Sequence, residues 1–479
     1  MWRLIKARPD AGHAALWHRG TSRQAVCRSA RALYGAPHRS SIRARLYPVM
    51  RVTVLGAGYV GATSAVILAY LGHDVTCVER DPARLACWRS GSDPLGEPGL
   101  SELRAQRDVR FVDDTSAIAS ADVIIVAVGT PMLSDGQPDL SQLEGAVAQI
   151  EAFARADAIV LMRSTVPVGT CDRLQNGPLR HLRVVSNPEF LREGRAVHDA
   201  LFPDRIVAGG PPEARPTIEE LYRRVIDGDD LIGGDGSRRA VPLLWMSARS
   251  AELAKYAANG FLATKLSFVN EIANLAQAIG ADAPAVLGSM GWDPRIGQQF
   301  LRPGLGWGGS CFPKDTRALK VIADGAGYDF VILRAAIEQN TRQLCRFAAA
   351  IEQALPAGGE VGLLGLAFKA GTPDTRESPA LALAHLLIRA GLHVNAYDPA
   401  VRKLPDEPKV VLRPSILEAC SGVDAIAIAT EWPEFADMEL AAVRRVTRGD
   451  LLFDGRALIA PSRAVAAGFR YQGLSGFGD

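Results

Sequence analysis

The chain has 479 residues, too many for a single hydrophobic core, so two or three domains are expected. Apolar residues make up 48% and charged residues 22%, with a formal net charge of +2. That balance excludes a disordered, collagen-like or membrane-embedded chain and a whole-chain polyanion binder.

Residues 1–49 carry more than the whole of the basic excess, with Arg3, Lys6, Arg8, Arg19, Arg23, Arg28, Arg31, Arg39, Arg43 and Arg45 against Asp10 alone, so the remaining chain is acidic. This segment lacks the apolar stretch of a secretory signal and has the Arg- and Ser-rich, acid-poor composition of a transit peptide. It is expected to be a disordered extension, or to lie ahead of a translation start at Met50. Its aromatic residues are too sparse for a nucleic-acid stacking platform. The seven cysteines are scattered without metal-ligand spacing, which points to reduced thiols, no metal and a cytoplasmic location. No apolar run reaches the roughly 18–20 residues that cross a bilayer, so no membrane partner is expected.

From Arg51 onward, apolar strands alternate with helical stretches, the pattern of a parallel α/β sheet. Arg51–Leu55 is a strand, Gly56–Gly61 a turn, Val60–Leu71 a helix closed by Gly72, and Asp74–Glu79 a second strand. Further strands are expected at Val109–Val112, Val123–Val128, Ala158–Met162, Arg183–Ser186 and Arg205–Ala208. Ser247–Gly280 contains no proline and keeps helical spacing throughout, which predicts one helix of roughly 50 Å between two domains and a natural dimer face. A second α/β pattern follows: strand Glu360–Ala367, helix Pro379–Ala390 closed by Gly391, then strands His393–Tyr397, Ala425–Ala429 and Leu451–Asp454. The fold class is therefore α/β, with two Rossmann-like parallel-sheet domains joined by a long central helix and a helical middle domain. The expected boundaries are 50–244, 245–335 and 336–479.

Gly56-Ala57-Gly58-Tyr59-Val60-Gly61 follows a strand and opens a helix. Gly56 permits the tight turn, Gly58 lets the backbone approach a pyrophosphate, and Gly61 lets the helix pack on the strand. Amides at the helix N-terminus then face the phosphates. Glu79 ends the second strand, placed to accept the ribose hydroxyls and to repel a 2′-phosphate, which selects NAD. Arg80 and Arg84 nearby are the groups by which NADP would instead be accommodated.

Gly306-Trp307-Gly308-Gly309-Ser310-Cys311-Phe312-Pro313-Lys314-Asp315 places a cysteine at the start of a helix, where a thiol pKa is expected to fall. Asp315 lies one turn on and can face the same cavity. Lys255 and Asn259 share one face of the long helix and can handle a proton and an oxyanion. A thiol has no task in a simple alcohol oxidation. It can trap an aldehyde as a thiohemiacetal, which a second hydride transfer converts to a thioester for hydrolysis. Ser186-Asn187-Pro188-Glu189-Phe190-Leu191-Arg192-Glu193-Gly194 follows what reads as the last apolar strand of the first sheet and offers two carboxylates to a polar cleft.

Taken in order, these segments resemble the UDP-glucose/GDP-mannose dehydrogenase family from about Met50 to Arg456. The resemblance also rests on Val128-Gly129-Thr130-Pro131, Ser164-Thr165-Val166-Pro167, Gly365-Leu366-Ala367-Phe368-Lys369, Asp374-Thr375-Arg376-Glu377-Ser378-Pro379 and Phe453-Asp454-Gly455-Arg456. It implies an NAD-dependent, two-step oxidation of UDP-glucose to UDP-glucuronate by a homodimer or higher homo-oligomer. Cys311 would be the nucleophile, with Lys255 and Asp315 flanking the reacting carbon, Asn259 holding the oxyanion, and Thr165 and Glu189 assisting. Gly56, Gly58, Tyr59, Val60, Gly61, Glu79, Arg84, Thr130, Thr165 and Glu193 would hold the cofactor. Glu189, Phe190, Leu191, Lys255, Asn259, Phe300, Gly308, Phe368, Lys369 and Arg456 would hold the nucleotide sugar, with Arg295 reaching across a dimer interface. The chain departs from the family pattern at Glu79, usually aspartate, at Trp307, usually Phe or Tyr, and at Pro373, usually acidic. GDP-mannose or a UDP-N-acetylhexosamine as substrate, or a nucleotide-sugar binder without catalysis, are the alternative readings.

Overall fold

Val123–Val126 and Ile159–Met162 are buried at every position, as strands must be when helices cover both faces of a parallel sheet. The structure, a computed structural model, describes residues 47–133, 136, 138–228, 240–404, 409–474 and 476–477. The expected extension at 1–49 therefore lies almost wholly outside the described residues. Strands β1 (Arg51–Leu55), β2 (Asp74–Val78), β3 (Arg110–Val112), β4 (Val123–Val126), β5 (Ile159–Met162), β6 (Arg183–Ser186), β7 (Ile206–Gly209) and β8 (Leu243–Met246) form one sheet. Its order is β3-β2-β1-β4-β5-β6-β7-β8. All pairs are parallel except β6 with β7.

The chain switches direction across the sheet at β1, which lies between β2 and β4. In an open α/β sheet the crevice at such a switch, beyond the strands' C-terminal ends, is where ligands bind. Helix α1 (Tyr59–Tyr70) starts there, three residues after Gly56 turns the chain at φ +97°. One expectation needs correction. β6 is not the last strand of this sheet, because β7 and β8 continue it, and β8 was not anticipated. Leu243-Leu244-Trp245-Met246 is a short continuous apolar run set directly against the Ser247 cap of the long helix, and periodicity alone does not tell such a run from a buried helical segment.

Helix α2 (Ala248–Ile279) runs 32 residues, from an N-cap at Ser247, whose hydroxyl accepts the Ser250 N–H, to Gly280 at φ 71°. These are the start and stop that the sequence signalled. Its mid-helix Gly260 has a packing cause, since a Cβ there would sit 2.9 Å from Leu319 of helix α3 (Phe312–Gly325). Helix α4 (Val331–Ala354) completes the helical middle and packs on α2.

The second sheet contains β9 (Glu360–Leu364), β10 (His393–Tyr397), β11 (Val410–Leu412), β12 (Ala425–Ile428), β13 (Leu451–Asp454), β14 (Arg470–Gly473) and β15 (Gly476–Phe477). Its order, β11-β10-β9-β12-β13-β14-β15, repeats the switch of the first sheet at β9. Each sheet has an apolar cluster on both faces. The architecture is thus two parallel-sheet domains around a helical middle. Where observed strands are shorter than expected, the chain has already left the sheet: Ala127 and Val128 line the first cleft, and Gly365–Ala367 turn at Gly365, φ 102°, toward the cavity-lining Phe368.

Candidate active site

The three motif glycines at the β1–α1 turn are required for different reasons. A Cβ on Gly56 would meet the Ala127 carbonyl oxygen at 2.7 Å, and one on Gly61 would meet the Gly56 carbonyl oxygen at 1.9 Å. A Cβ on Gly58 would meet nothing within 4 Å, because it points into an open cleft. That cleft, ≈ 790 Å³, is lined by Gly56, Gly58, Tyr59, Glu79, Arg84 and Glu193 from the first half of the chain. Thr372, Pro373, Asp374 and Arg376 close it from the second half. Its size, bare backbone at Gly58 and helix N-terminus suit a dinucleotide.

Glu79 is buried at the cleft wall, where its carboxylate accepts the Ala57 N–H at 3.1 Å and the Asp81 N–H at 2.8 Å. Arg84 pairs with the same carboxylate at 3.1 Å, so this arginine is held to Glu79 in place of offering a free cation to a 2′-phosphate. Val60 and Gly61 pack behind the turn, outside the cleft lining. Thr130 and Thr165 stand on neighbouring loops, tied by the Thr130 hydroxyl donating to the Thr165 carbonyl at 2.9 Å.

On α2, Lys255 and Asn259 do share a face, and both are buried. The Lys255 ammonium donates to the Glu189 carbonyl oxygen at 2.7 Å and to its carboxylate at 2.9 Å. The Asn259 amide donates to the Asp315 carboxylate at 2.6 Å, and Lys314 pairs with the other Asp315 oxygen at 2.5 Å. Burial alone would raise the Glu189 carboxyl. The Lys255 charge, its hydrogen bond and the Leu191 N–H outweigh burial and hold Glu189 below its ordinary value. Burial likewise opposes the charge on Lys255, but Glu189, Asp315 and the Cys311 sulfur push the ammonium up. So many ionic groups buried together, and in mutual contact, mark a functional site more than a stabilising one.

Cys311 is the N-cap of α3 and remains open to solvent. The expected low thiol pKa is not found. Desolvation by the surrounding wall raises it, the Lys255 charge offsets this in part, and the Glu189 and Asp315 carboxylates raise it further. Burial of the sulfur, the largest of these effects, is what a position at a helix start does not reveal. The Cys311 sulfur lies 3.7 Å from the Ser310 hydroxyl, which in turn donates to Glu193 at 3.2 Å.

Beyond Cys311 a second cavity, ≈ 460 Å³, lies between the helical middle and the second sheet. Phe300, Gly308, Phe368, Lys369 and Arg456 line it together, five of the residues expected to hold a nucleotide sugar. Lys369 donates to the Glu193 carbonyl oxygen at 2.6 Å, and Arg456 donates to the Ala429 carbonyl oxygen at 2.8 Å. Arg456 also packs on Gly304, where a Cβ would fall 2.9 Å from the guanidinium. Glu189, Phe190 and Leu191 line a separate cavity of ≈ 330 Å³ behind the Lys255 pair. The two carboxylates of that loop therefore face different spaces: Glu189 meets Lys255, and Glu193 lines the dinucleotide cleft. Arg295 is exposed and paired within its own loop to Asp293 at 2.6 Å.

Several groups escaped the sequence reading. Glu97 is buried and receives the Tyr59 hydroxyl, the Gly194 N–H and the Ala196 N–H, clamping the Glu193 loop onto α1. Nothing in its surroundings, Gly96-Glu97-Pro98-Gly99, distinguishes it from a surface turn. Asn270 holds the Gly304 N–H at 2.8 Å, and its signal was available as a polar residue on the buried stripe of α2. Phe300, Glu377 and Ala457 adopt φ of 62°, 49° and 49°, the three described non-glycine residues with positive φ. Phe300 and Ala457 line the second cavity, and the Glu377 carbonyl receives the Gly309 N–H at 3.2 Å. Backbone strain of about 1–2 kcal/mol per residue is retained where a site needs it. Among the described residues no cluster could hold a metal ion.

Three domain families match the chain in order, all described as UDP-glucose/GDP-mannose dehydrogenase family: the NAD binding domain over residues 50–226, the central domain over 249–342, and the UDP binding domain over 362–461. The UDP-glucose 6-dehydrogenase YwqF of Bacillus subtilis is 41% identical over 447 residues, 89% of this chain and 97% of its own length. A UDP-glucose 6-dehydrogenase of Pseudomonas aeruginosa is 42% identical over 451 residues, with the same coverage of 89% and 97%. Among solved structures, a UDP-glucose dehydrogenase from Pyrobaculum islandicum superposes with a TM-score of 0.80 at 34% identity. It covers 91% of this chain and 100% of its own.

Proposed function

The chain belongs to the UDP-glucose/GDP-mannose dehydrogenase family, and from that premise we propose that it oxidises the C6 alcohol of UDP-glucose twice with NAD, releasing UDP-glucuronate. The observation that carries this reading is the position of Cys311. It caps α3 beside the buried Lys255, Asn259, Glu189 and Asp315, and its two chain neighbours reach both cavities: Ser310 contacts Glu193 of the dinucleotide-sized cleft, and Phe312 lines the second, cation-bearing one. NAD, when bound, accepts the hydride of each oxidation.

The protein's own groups do the rest. Gly58 exposes backbone to the pyrophosphate, while Glu79 takes the ribose hydroxyls and disfavours a 2′-phosphate. Lys369 and Arg456 offer positive charge to the diphosphate, and Phe300, Gly308 and Phe368 shape the wall around the sugar. Asn259 and Lys255 face the oxygen that is alkoxide in the first step and thiohemiacetal oxyanion in the second. Asp315, Glu189 and Thr165 hold the water that cleaves the thioester. The Cys311 sulfur forms the covalent bond that keeps the aldehyde from diffusing away.

The exposed side chains Phe261, Phe268 and Leu275 recur every seven residues along α2, an apolar stripe that suits a second copy of the chain. Arg295, exposed beyond the C-terminal end of the same helix, would serve the partner's site in such a dimer. No helix among the described residues is long and apolar enough to cross a membrane, and the cytoplasm, where its thiols stay reduced, is the compartment we propose.

The test is stoichiometric. A panel of UDP-glucose, GDP-mannose and UDP-N-acetylhexosamines is supplied with NAD, and NADH is counted against sugar consumed. Two NADH per UDP-glucose without free aldehyde is the expected result. One NADH per sugar removes the two-step mechanism, and faster turnover of another nucleotide sugar reassigns the substrate.

A further inference from the structure

The attack of Cys311 on the aldehyde needs a base, because the thiol keeps its proton at neutral pH. The desolvating wall around the sulfur, with the Glu189 and Asp315 carboxylates, raises it above the ordinary thiol value despite the Lys255 charge. Of the groups facing the sulfur, Lys255 is an ammonium with no lone pair to offer. Glu189 has one oxygen on Lys255 and the other on the Leu191 N–H. Asp315 has one on Asn259 and the other on Lys314. Arg376, which also feels the sulfur's charge, is a donor only.

Ser310 offers a path. An ionised carboxylate cannot donate, so the Ser310 hydroxyl hydrogen must point to Glu193 at 3.2 Å. The Ser310 oxygen then has its lone pairs free for the Cys311 S–H at 3.7 Å. The polarity of both bonds runs one way, from sulfur to hydroxyl to carboxylate. The far end opens into the dinucleotide cleft that Glu193 lines.

We propose that Ser310 relays the Cys311 proton to Glu193 as the sulfur attacks the aldehyde carbon, an inference that rests on the two-step reading above. The S–H bond breaks and its electron pair forms the new S–C bond. The sulfur proton passes to the Ser310 oxygen while the Ser310 proton passes to Glu193 Oε1. The carbonyl π pair moves onto oxygen, so one negative charge moves from Glu193 to the oxyanion beside Lys255 and Asn259. Glu193 Oε1 also receives Arg376, but only at 3.4 Å, against 2.5–2.9 Å for the contacts that hold both oxygens of Glu189 and Asp315. Glu193 is suited to accept, since burial and the neighbouring Asp374 raise its carboxyl, with Arg376, Ser310 and Lys369 opposing.

The experiment supplies the 6-aldehyde of UDP-glucose with saturating NAD and follows single-turnover NADH formation across pH, in H₂O and in D₂O. The wild-type rate should rise through the Glu193 ionisation, then stay flat, with a solvent isotope effect from two protons in flight. Ser310→Ala and Glu193→Gln each break one link. Either should slow the neutral-pH rate by about 10²–10⁴-fold. Each should also replace the plateau with a rate that climbs about tenfold per pH unit, because the thiol must then ionise unaided. Loss of folded structure around Ser310 would lower the rate without moving the pH profile. Variants that keep the wild-type acid limb and isotope effect overturn the relay. Cys311→Ala, run alongside, tests the underlying reading separately: acid formation near the wild-type rate would remove the covalent step itself, whatever the serine variants do.

Discussion

Gly56 and Gly58 stand two residues apart in one motif, yet the structure assigns them opposite sensitivities. Alanine at Gly56 must hold φ near +97° with its Cβ 2.7 Å from the Ala127 carbonyl oxygen. The left-handed backbone costs about 1–2 kcal/mol, and the crowding about 1–3 kcal/mol more. A loss of about 2–5 kcal/mol is therefore expected without any ligand present. Gly58 has φ −73° and ψ −170°, ordinary extended backbone, and its added methyl meets no atom within 4 Å. Gly58→Ala should fold with wild-type stability to within about 0.5 kcal/mol, or gain slightly from the stiffer unfolded chain. Its methyl would stand in the cleft where Gly58 leaves backbone bare for a pyrophosphate, so NADH affinity should fall by a factor of about 10–100, or about 1.4–2.8 kcal/mol. Urea unfolding of the cofactor-free protein and titration by NADH fluorescence separate the two effects. Wild-type NADH binding by Gly58→Ala, or a stability loss as large as that of Gly56→Ala, would show that the two glycines do not divide these tasks.

The buried Lys255–Glu189 pair should shape stability against pH from both sides. Glu189 is depressed in the folded chain, so its contribution is complete above the ordinary carboxylate range and lost as pH falls through the depressed value. Lys255 is raised, so its contribution is complete below the ordinary lysine range and lost as pH rises through the raised value. Glu189→Gln should cost about 3–5 kcal/mol at neutral pH by leaving the ammonium unpaired, and an unchanged urea midpoint would contradict this account. Glu79 predicts a higher kcat/KM with NAD than with NADP, and equal use of both would show that Arg80 governs the ribose site. Phe268→Asp, on the α2 stripe, should shift sedimentation toward monomer; an unaltered profile would place the partner surface elsewhere.

What the sequence determined by itself was everything that depends on local order along the chain. Alternating apolar runs with glycine stops specified two strand–helix sheets, because burial on both faces demands continuous apolar strands. Ser247 and Gly280 marked the two ends of α2, because capping is a short-range hydrogen-bonding problem. The motif glycines, Cys311 and the Lys255–Asn259 spacing could be read for the same reason. β8 was missed because its four apolar residues run straight into the Ser247 cap with no period or turn to separate a strand from the helix start. Tertiary structure alone decided which groups meet. It sent Glu189 to Lys255 and Glu193 toward Ser310, though the two glutamates are one short loop apart. It set Arg84 on Glu79 and placed Glu97 under the Glu193 loop. It also reversed the expectation for the Cys311 thiol, because a pKa depends on every charge within a few ångströms and on the water excluded, whatever element each group comes from. Helix position could be seen in the sequence; the burial that raises the thiol, and the Glu189 and Asp315 carboxylates that add to it, come from the packing of another loop and the next turn of α3 around the sulfur.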